Sequence, residues 1–175
     1  MQFYKVSKYL NDEGISLPVR KTVESAGYDF ASATDIVIPS YLKQMKQLEE
    51  KEIGMVTLTG MQNAIKQTGI KPTLIPTGIK CEITPGWFLQ LSVRSSCPLK
   101  SWIVLANGVG IIDGDYYNNP SNEGEIFFQV INLTPYDILV QKGDTIGQGV
   151  FMPYGKIWND KTADARVGGF GSTDG

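Results

Sequence analysis

The sequence contains no histidine. That absence removes His general-base catalysis, the Ser-His-Asp and Cys-His nucleophile systems, and every His-ligated zinc or iron centre. Cysteine is scarce as well. Cys81 and Cys97 are the only two in 175 residues, they are not spaced as Cys-x-x-Cys, and they are expected to be ordinary reduced thiols. An excess of positive charge is also missing. Lysine plus arginine is 16 against 18 acids, a net of −2, which argues against a sequence-independent grip on nucleic acid or on an anionic membrane. No segment stays apolar for about 18 residues, so no membrane-spanning helix is expected. Met1 to Leu10 lacks the apolar run of a signal peptide, which makes the cytoplasm the expected compartment. Chemistry must then come from carboxylates, hydroxyls, Arg, Lys, backbone amides or a bound hard cation.

What is present points to β structure. Nineteen glycines and nine prolines accompany many Val, Ile, Thr, Tyr and Phe, the mix of short strands and tight turns. Leu17 to Pro39 reads as strand-like. Thr73–Ile75, Ile79–Ile83, Trp87–Val93, Trp102–Leu105, Glu125–Leu133, Ile138–Val140 and Gly147–Met152 are further strand candidates, punctuated by Gly, Pro or Asn. This spacing predicts an all-β sandwich, barrel or jelly roll. The exception is a helical insertion near residues 40–70. Tyr41 to Glu52 is rich in helix formers, and Thr59 to Lys66 reads as a second short helix closing at Gly69. The length suits one domain, residues 1–165, followed by a glycine-rich C-terminal arm, 166–175. Asn132-Leu133-Thr134 fits a glycosylation sequon, which has no meaning without secretion.

Three segments carry candidate chemistry. Arg94-Ser95-Ser96 follows a strand and offers a guanidinium fork and two hydroxyls, either a phosphate cradle or a polar strand end. Asn107 to Tyr116 (NGVGIIDGDY) fails the dinucleotide fingerprint because Asp113 stands where a third glycine is needed. Asp113 and Asp115 would share a face on a strand or hairpin and suit water activation or cation handling, or else Asp113-Gly114 is simply a turn. Arg166 to Thr173 (RVGGFGST) combines an arginine, hydroxyls and glycines around Phe170, which suits an anion and a planar ring.

Read together, these segments resemble the trimeric dUTPase family (deoxyuridine triphosphate nucleotidohydrolases), whose five motifs occur here in order. They are AGYDF (Ala26 to Phe30), VRSS (Val93 to Ser96), NGVGIIDGDYYN (Asn107 to Asn118), KGDTIGQGVF (Lys142 to Phe151) and RVGGFGST (Arg166 to Thr173). The resemblance spans nearly the whole chain outside the insertion. It implies a jelly-roll, β-clip subunit in a homotrimer with sites between subunits. Motifs one, two and four would come from one chain, motif three from a second and motif five from a third. It also implies hydrolysis of dUTP to dUMP and pyrophosphate with Mg²⁺.

By that resemblance Asp113 activates the attacking water and Tyr116 packs under the deoxyribose. Asn107, Gly110 and Ile112 read the uracil edge, largely through backbone. Arg94, Ser95, Ser96 and Gln148 hold phosphates, and Asp29 serves the metal through water. Phe170 stacks on uracil, while Arg166, Gly171, Ser172 and Thr173 close over the phosphates. Motif five has one residue fewer than usual between Arg166 and Gly168-Gly169-Phe170. A dCTP deaminase of the same fold is the rival enzyme, but it needs a glutamate near the base, and residues 107–118 hold none. A regulatory module that binds a protein partner through the insertion is the rival from another class.

Overall fold

The structure, a computed structural model, describes residues 1–49 and 57–162, with the side chains of residues 47–49 excepted. Eleven strands appear among them: β1 (Gln2–Lys5), β2 (Tyr28–Ala31), β3 (Ile36–Ile38), β4 (Thr73–Pro76), β5 (Ile79–Glu82), β6 (Trp87–Ser92), β7 (Ile103–Leu105), β8 (Gly110–Ile112), β9 (Phe127–Asn132), β10 (Ile138–Val140) and β11 (Thr145–Pro153). Three α-helices accompany them: α1 (Tyr41–Glu49), α2 (Leu58–Thr68) and α3 (Ser96–Ser101). The architecture is a jelly-roll-like β fold with a helical insertion. One sheet has the order β2-β11-β6-β8, another β4-β9-β7, and the pairs β1-β5 and β10-β3 complete it.

Alternation sets the sheets. In β9, Phe128, Val130 and Asn132 are buried while Phe127, Gln129 and Ile131 between them are half-exposed, the period-two pattern of a strand with one core face. Leu89 and Leu91 of β6 meet that face, together with Phe30, Ile75, Ile79 and Ile126, all nearly inaccessible. Burying each such side chain contributes about 1.5–3 kcal/mol relative to exposure. Phe3 stands edge-on to Tyr28 and Phe30, with centroids 5.4 and 5.6 Å apart, and so ties the first strand to the core.

One buried polar residue explains the sequon. Asn132 is 0% exposed. Its amide nitrogen donates to the carbonyls of Ile38 and Tyr136, and its oxygen accepts from the amide and hydroxyl of Thr134. It is a fully satisfied anchor for the turn between β9 and β10, unavailable to a glycan. Cys81 and Cys97 are free thiols, as expected. Burial pushes the Cys81 thiol up to about 12, so it behaves as a small core residue.

In the insertion, Thr57 caps α2 by accepting from the Gly60 amide, and Gly69 ends it in the left-handed region at φ 69°. No residue of α2 is buried, and Leu58, Met61 and Ile65 are exposed on it. Residues 50–52 of the expected first helix lie outside the described residues. Leu17 to Ala26, expected to be strand-like, is mostly irregular, with Val23 exposed. Val19 makes an isolated bridge to Asp29 of β2, and after it Arg20 donates to the carbonyls of Val23 and Ser25 and closes a loop.

Gly147 marks the tightest approach in the central sheet. A methyl group added there would overlap the Phe128 ring and stand 2.7 Å from the Ser92 carbonyl oxygen. Gly147→Ala is therefore expected to destabilise the protein by about 3 kcal/mol, since backbone and a packed ring must both move. A denaturant titration reads this; an unchanged midpoint would mean the sheet yields easily at β11.

Candidate functional site

In the β2-β11-β6-β8 sheet, β2, β11 and β8 overlap motifs one, four and three, and motif two follows directly on β6. Asp29 of β2 lies opposite Gln148 of β11, and Gln148 lies opposite Ser92 of β6, so the three form one cross-strand row. The Gln148 amide donates to the Ser92 hydroxyl at 3.3 Å. Two residues beyond Ser92, Arg94 brings its Nε to 3.5 Å from Asp29 Oδ1. Asp29 is mostly buried, and its Oδ2 has no hydrogen-bond partner among the described residues. Gly27 makes room for the row, because any Cβ there would run into the Gln148 amide. Motifs one, two and four thus converge through Asp29, Arg94 and Gln148.

Ser95 and Ser96 follow directly. They open helix α3, an element that the two sequence readings of Arg94 to Ser96, a phosphate cradle or a polar strand end, did not include. Pro98 falls in the helix's first turn, where proline is tolerated, and the Cys97 amide donates to the Arg94 carbonyl at 2.9 Å. Ser95 makes no capping bond with its side chain.

Motif three is built differently from a simple hairpin. β7 pairs with β9 and β8 pairs with β6, so the turn at Asn107-Gly108 links two sheets rather than two paired neighbours. Gly108 occupies the left-handed region at φ 72°, and the Val109 amide donates to the Asn107 carbonyl at 2.8 Å. Asn107 is exposed, whereas Gly110 and Ile112 are buried against β6. Asp113 ends the strand and precedes a 3-10 turn, Gly114–Tyr116. Asp115 sits within that turn, so the strand alternation that would put Asp113 and Asp115 on one face does not apply. Asp113 is exposed and borders a cleft of ≈ 710 Å³ whose lining includes Trp87, Phe88, Ile111 and Tyr154. Tyr116 is buried, and its hydroxyl donates to the Glu125 carbonyl at 2.8 Å.

The register separates these two groups. Leu91 faces Gly110 and Leu89 faces Ile112, which carries Asp113 level with Phe88. Arg94 is six residues further along (94 − 88), or roughly 20 Å at the rise of a strand. Within one chain, Asp113 lies at one end of the sheet and the Asp29–Arg94–Gln148 cluster lies at the other. Arg166, Phe170, Gly171, Ser172 and Thr173 fall outside the described residues.

No group of three or more Cys, Asp and Glu side chains suited to a metal occurs among the described residues. The unpartnered Asp29 Oδ2 still fits Mg²⁺, which keeps most of its water and needs few carboxylates when phosphate supplies the rest.

The β-clip scaffold sets its polar motifs on and beside the strands of one sheet, and the scaffold alone does not fix the chemistry. Comparison narrows it. The dUTPase family model matches residues 56–174. The deoxyuridine 5'-triphosphate nucleotidohydrolase of Lactococcus lactis is 39% identical, over 98% of this chain and 95% of that protein. The crystal structure of dUTPase from Streptococcus mutans is 37% identical with a TM-score of 0.69, over 90% of this chain and 98% of that one. The dUTPase from phage phi11 of S. aureus shares the fold at 17% identity and a TM-score of 0.59, over 93% and 96% of the two chains. The chain belongs to the dUTPase family, and hydrolysis of dUTP is its reaction. No helix among the described residues is long and apolar enough to cross a membrane.

Proposed function

We propose that the chain works as a homotrimer in the cytoplasm, splitting dUTP into dUMP and pyrophosphate at sites shared between subunits. The separation of about 20 Å between Asp113 and Arg94 supports this reading. A general base and a phosphate clamp serving one triphosphate must lie within a few ångströms of it, so one chain alone does not complete the site. A closed ring of three chains joins the Asp113 end of one sheet to the Arg94 end of the next.

In each site Asp113 takes a proton from water as the water oxygen bonds to the α-phosphorus. The bond from that phosphorus to the bridging oxygen breaks, and pyrophosphate leaves with the electron pair. Without histidine in the chain, a carboxylate is the base available. Arg94, Ser95, the Ser96 amide and Gln148 hold the phosphates, and the guanidinium offsets the charge that develops at phosphorus. Asn107 and the backbone of Gly110 and Ile112 read the uracil edge. Tyr116 forms the platform for a deoxyribose. Residues 166–175 act as an arm: Phe170 stacks on uracil while Arg166, Gly171, Ser172 and Thr173 reach the outer phosphates. Mg²⁺, when bound, neutralises phosphate charge, and Asp29 is the residue that would hold it through water. Removal of dUTP would limit uracil in DNA, and the dUMP formed would supply the dTTP precursor. A regulatory protein partner for the insertion is a second reading, favoured by the exposed Leu58, Met61 and Ile65.

The test is complementation. Asp113→Asn and Arg94→Ala are each expected to be nearly inactive. Unfolded and refolded together in equal amounts, they should regain activity at about a quarter of the sites, those pairing two intact halves in a randomly mixed ring. A mixture no more active than its parts would place both residues in one chain's site and overturn the shared-site reading.

A further inference from the structure

We propose that Asn122 is a positioning residue that fixes the Tyr116 ring, three residues beyond Asp113, and so sets how strongly the enzyme separates deoxyribose from ribose. This rests on Tyr116 being the sugar platform.

Between the 3-10 turn and β9 the chain makes a loop, Tyr117 to Glu125, which closes on Tyr116 from both ends of that residue. The Asn122 amide nitrogen donates to the Tyr116 hydroxyl at 2.7 Å, and the hydroxyl donates onward to the Glu125 carbonyl. At the other end, the Tyr116 carbonyl accepts from the Asn119 side chain at 2.9 Å. The two asparagines are themselves joined, since Asn119 Nδ2 also donates to Asn122 Oδ1 at 2.7 Å. Asn122 Oδ1 accepts from the Gly124 amide as well, and Asn119 Oδ1 accepts from both donors of Ser121 and from the Asn122 amide.

Directions in this network are forced. The Glu125 and Tyr116 carbonyls only accept, and the Gly124 and Ser121 amides only donate, so neither asparagine can be turned around without losing partners. Asn122 is the point where the phenol end and the backbone end of Tyr116 meet.

The backbone tells the same story. Asn118 and Glu123 hold φ of 56° and 59°, and Gly124 holds 78°. The two non-glycine residues hold such a backbone only where the surrounding contacts over-determine it. A Cβ on Gly124 would stand 2.5 Å from the Tyr116 carbonyl oxygen, so the loop presses directly on this residue. The Tyr116 amide in turn donates to the Asp113 carbonyl at 3.2 Å. A ring fixed by Asn122 is therefore fixed relative to the general base, and rejection of a 2′-hydroxyl depends on a ring that does not yield.

The experiment compares kcat/KM for dUTP and UTP, read by pyrophosphate release from the full-length protein, in wild type, Asn122→Ala and Asn122→Asp. Asn122→Asp keeps the shape and accepts from Gly124 and Asn119 but cannot donate to the phenol, so it carries the test if Asn122→Ala does not fold. The preference for dUTP is expected to fall about tenfold in both variants. Ser40→Ala is the control for lost stability. It removes a buried hydroxyl bonded to the Thr134 carbonyl and the Lys43 amide, and its preference should stay that of wild type. A wild-type preference retained within twofold by the Asn122 variants overturns the positioning role. A wild-type protein that hydrolyses both nucleotides equally would instead remove the Tyr116 reading beneath it.

Discussion

Replacing Asp113 with Asn is expected to lower kcat for dUTP by about a thousandfold while dUTP still binds. The amide is nearly isosteric with the carboxylate but cannot take a proton from water. The position tolerates the change structurally: Asp113 is exposed, precedes a 3-10 turn, and supplies the turn with its backbone carbonyl. Asparagine is as acceptable as aspartate at such a turn start. Loss of turnover with retained folding and affinity would isolate proton transfer as the missing step. Pyrophosphate release and equilibrium binding of dUTP measure the two halves. A variant that keeps turnover within tenfold of wild type would refute the role of Asp113 as base.

Truncation before Arg166 is expected to cost about a hundredfold in kcat/KM, with the oligomer intact. Strand β11 ends at Pro153, and residues 154–162 after it are all exposed. Removing residues 166–175 therefore takes nothing from the described core. What it takes is an arginine, two hydroxyls, glycine amides and Phe170, the set argued above to cover the phosphates and stack on the base. Steady-state kinetics and light scattering separate the two effects. Full activity in the truncated chain would exclude the arm from the site.

Much of the fold was legible because its signals are local. Alternation in Phe127–Asn132 and in Trp87–Ser92, with proline and glycine between runs, is enough to mark β9 and β6. Gly69 marked the end of α2 because a left-handed cap favours glycine. Three features were hidden. Strand β1 exists through its pairing with β5, about 78 residues away in sequence, and Gln2 to Lys5 has little strand pattern of its own. Helix α3 was masked by Pro98, which breaks helices in their interior but not in their first turn. The crossing from β7 in one sheet to β8 in another depends on long-range pairing, which no reading of Asn107 to Asp113 contains.

The candidate site was legible as motifs but not as geometry. Asp29, Ser92 and Gln148 stand far apart in sequence, and the register of β11 against β2 and β6 makes them one row, with Arg94 two residues beyond it. Asn119 and Asn122 gave no signal at all, because in sequence Asn118-Asn119-Pro120 reads as an ordinary turn. Their bonds to Tyr116 are visible only once the loop is closed.

The last strand among the described residues, β11, is an interior strand of its sheet, flanked by β2 and β6. During synthesis, then, neither neighbour can find its proper edge until Thr145–Pro153 has left the ribosome. Until that moment β2 and β6 present open edges, which are templates for wrong pairing. The cross-strand row of Asp29, Gln148 and Ser92 therefore assembles only once β11 has emerged. A nascent chain stalled before Thr145 would carry three motifs and no pairing between β2 and β6, and would be a natural client for chaperones.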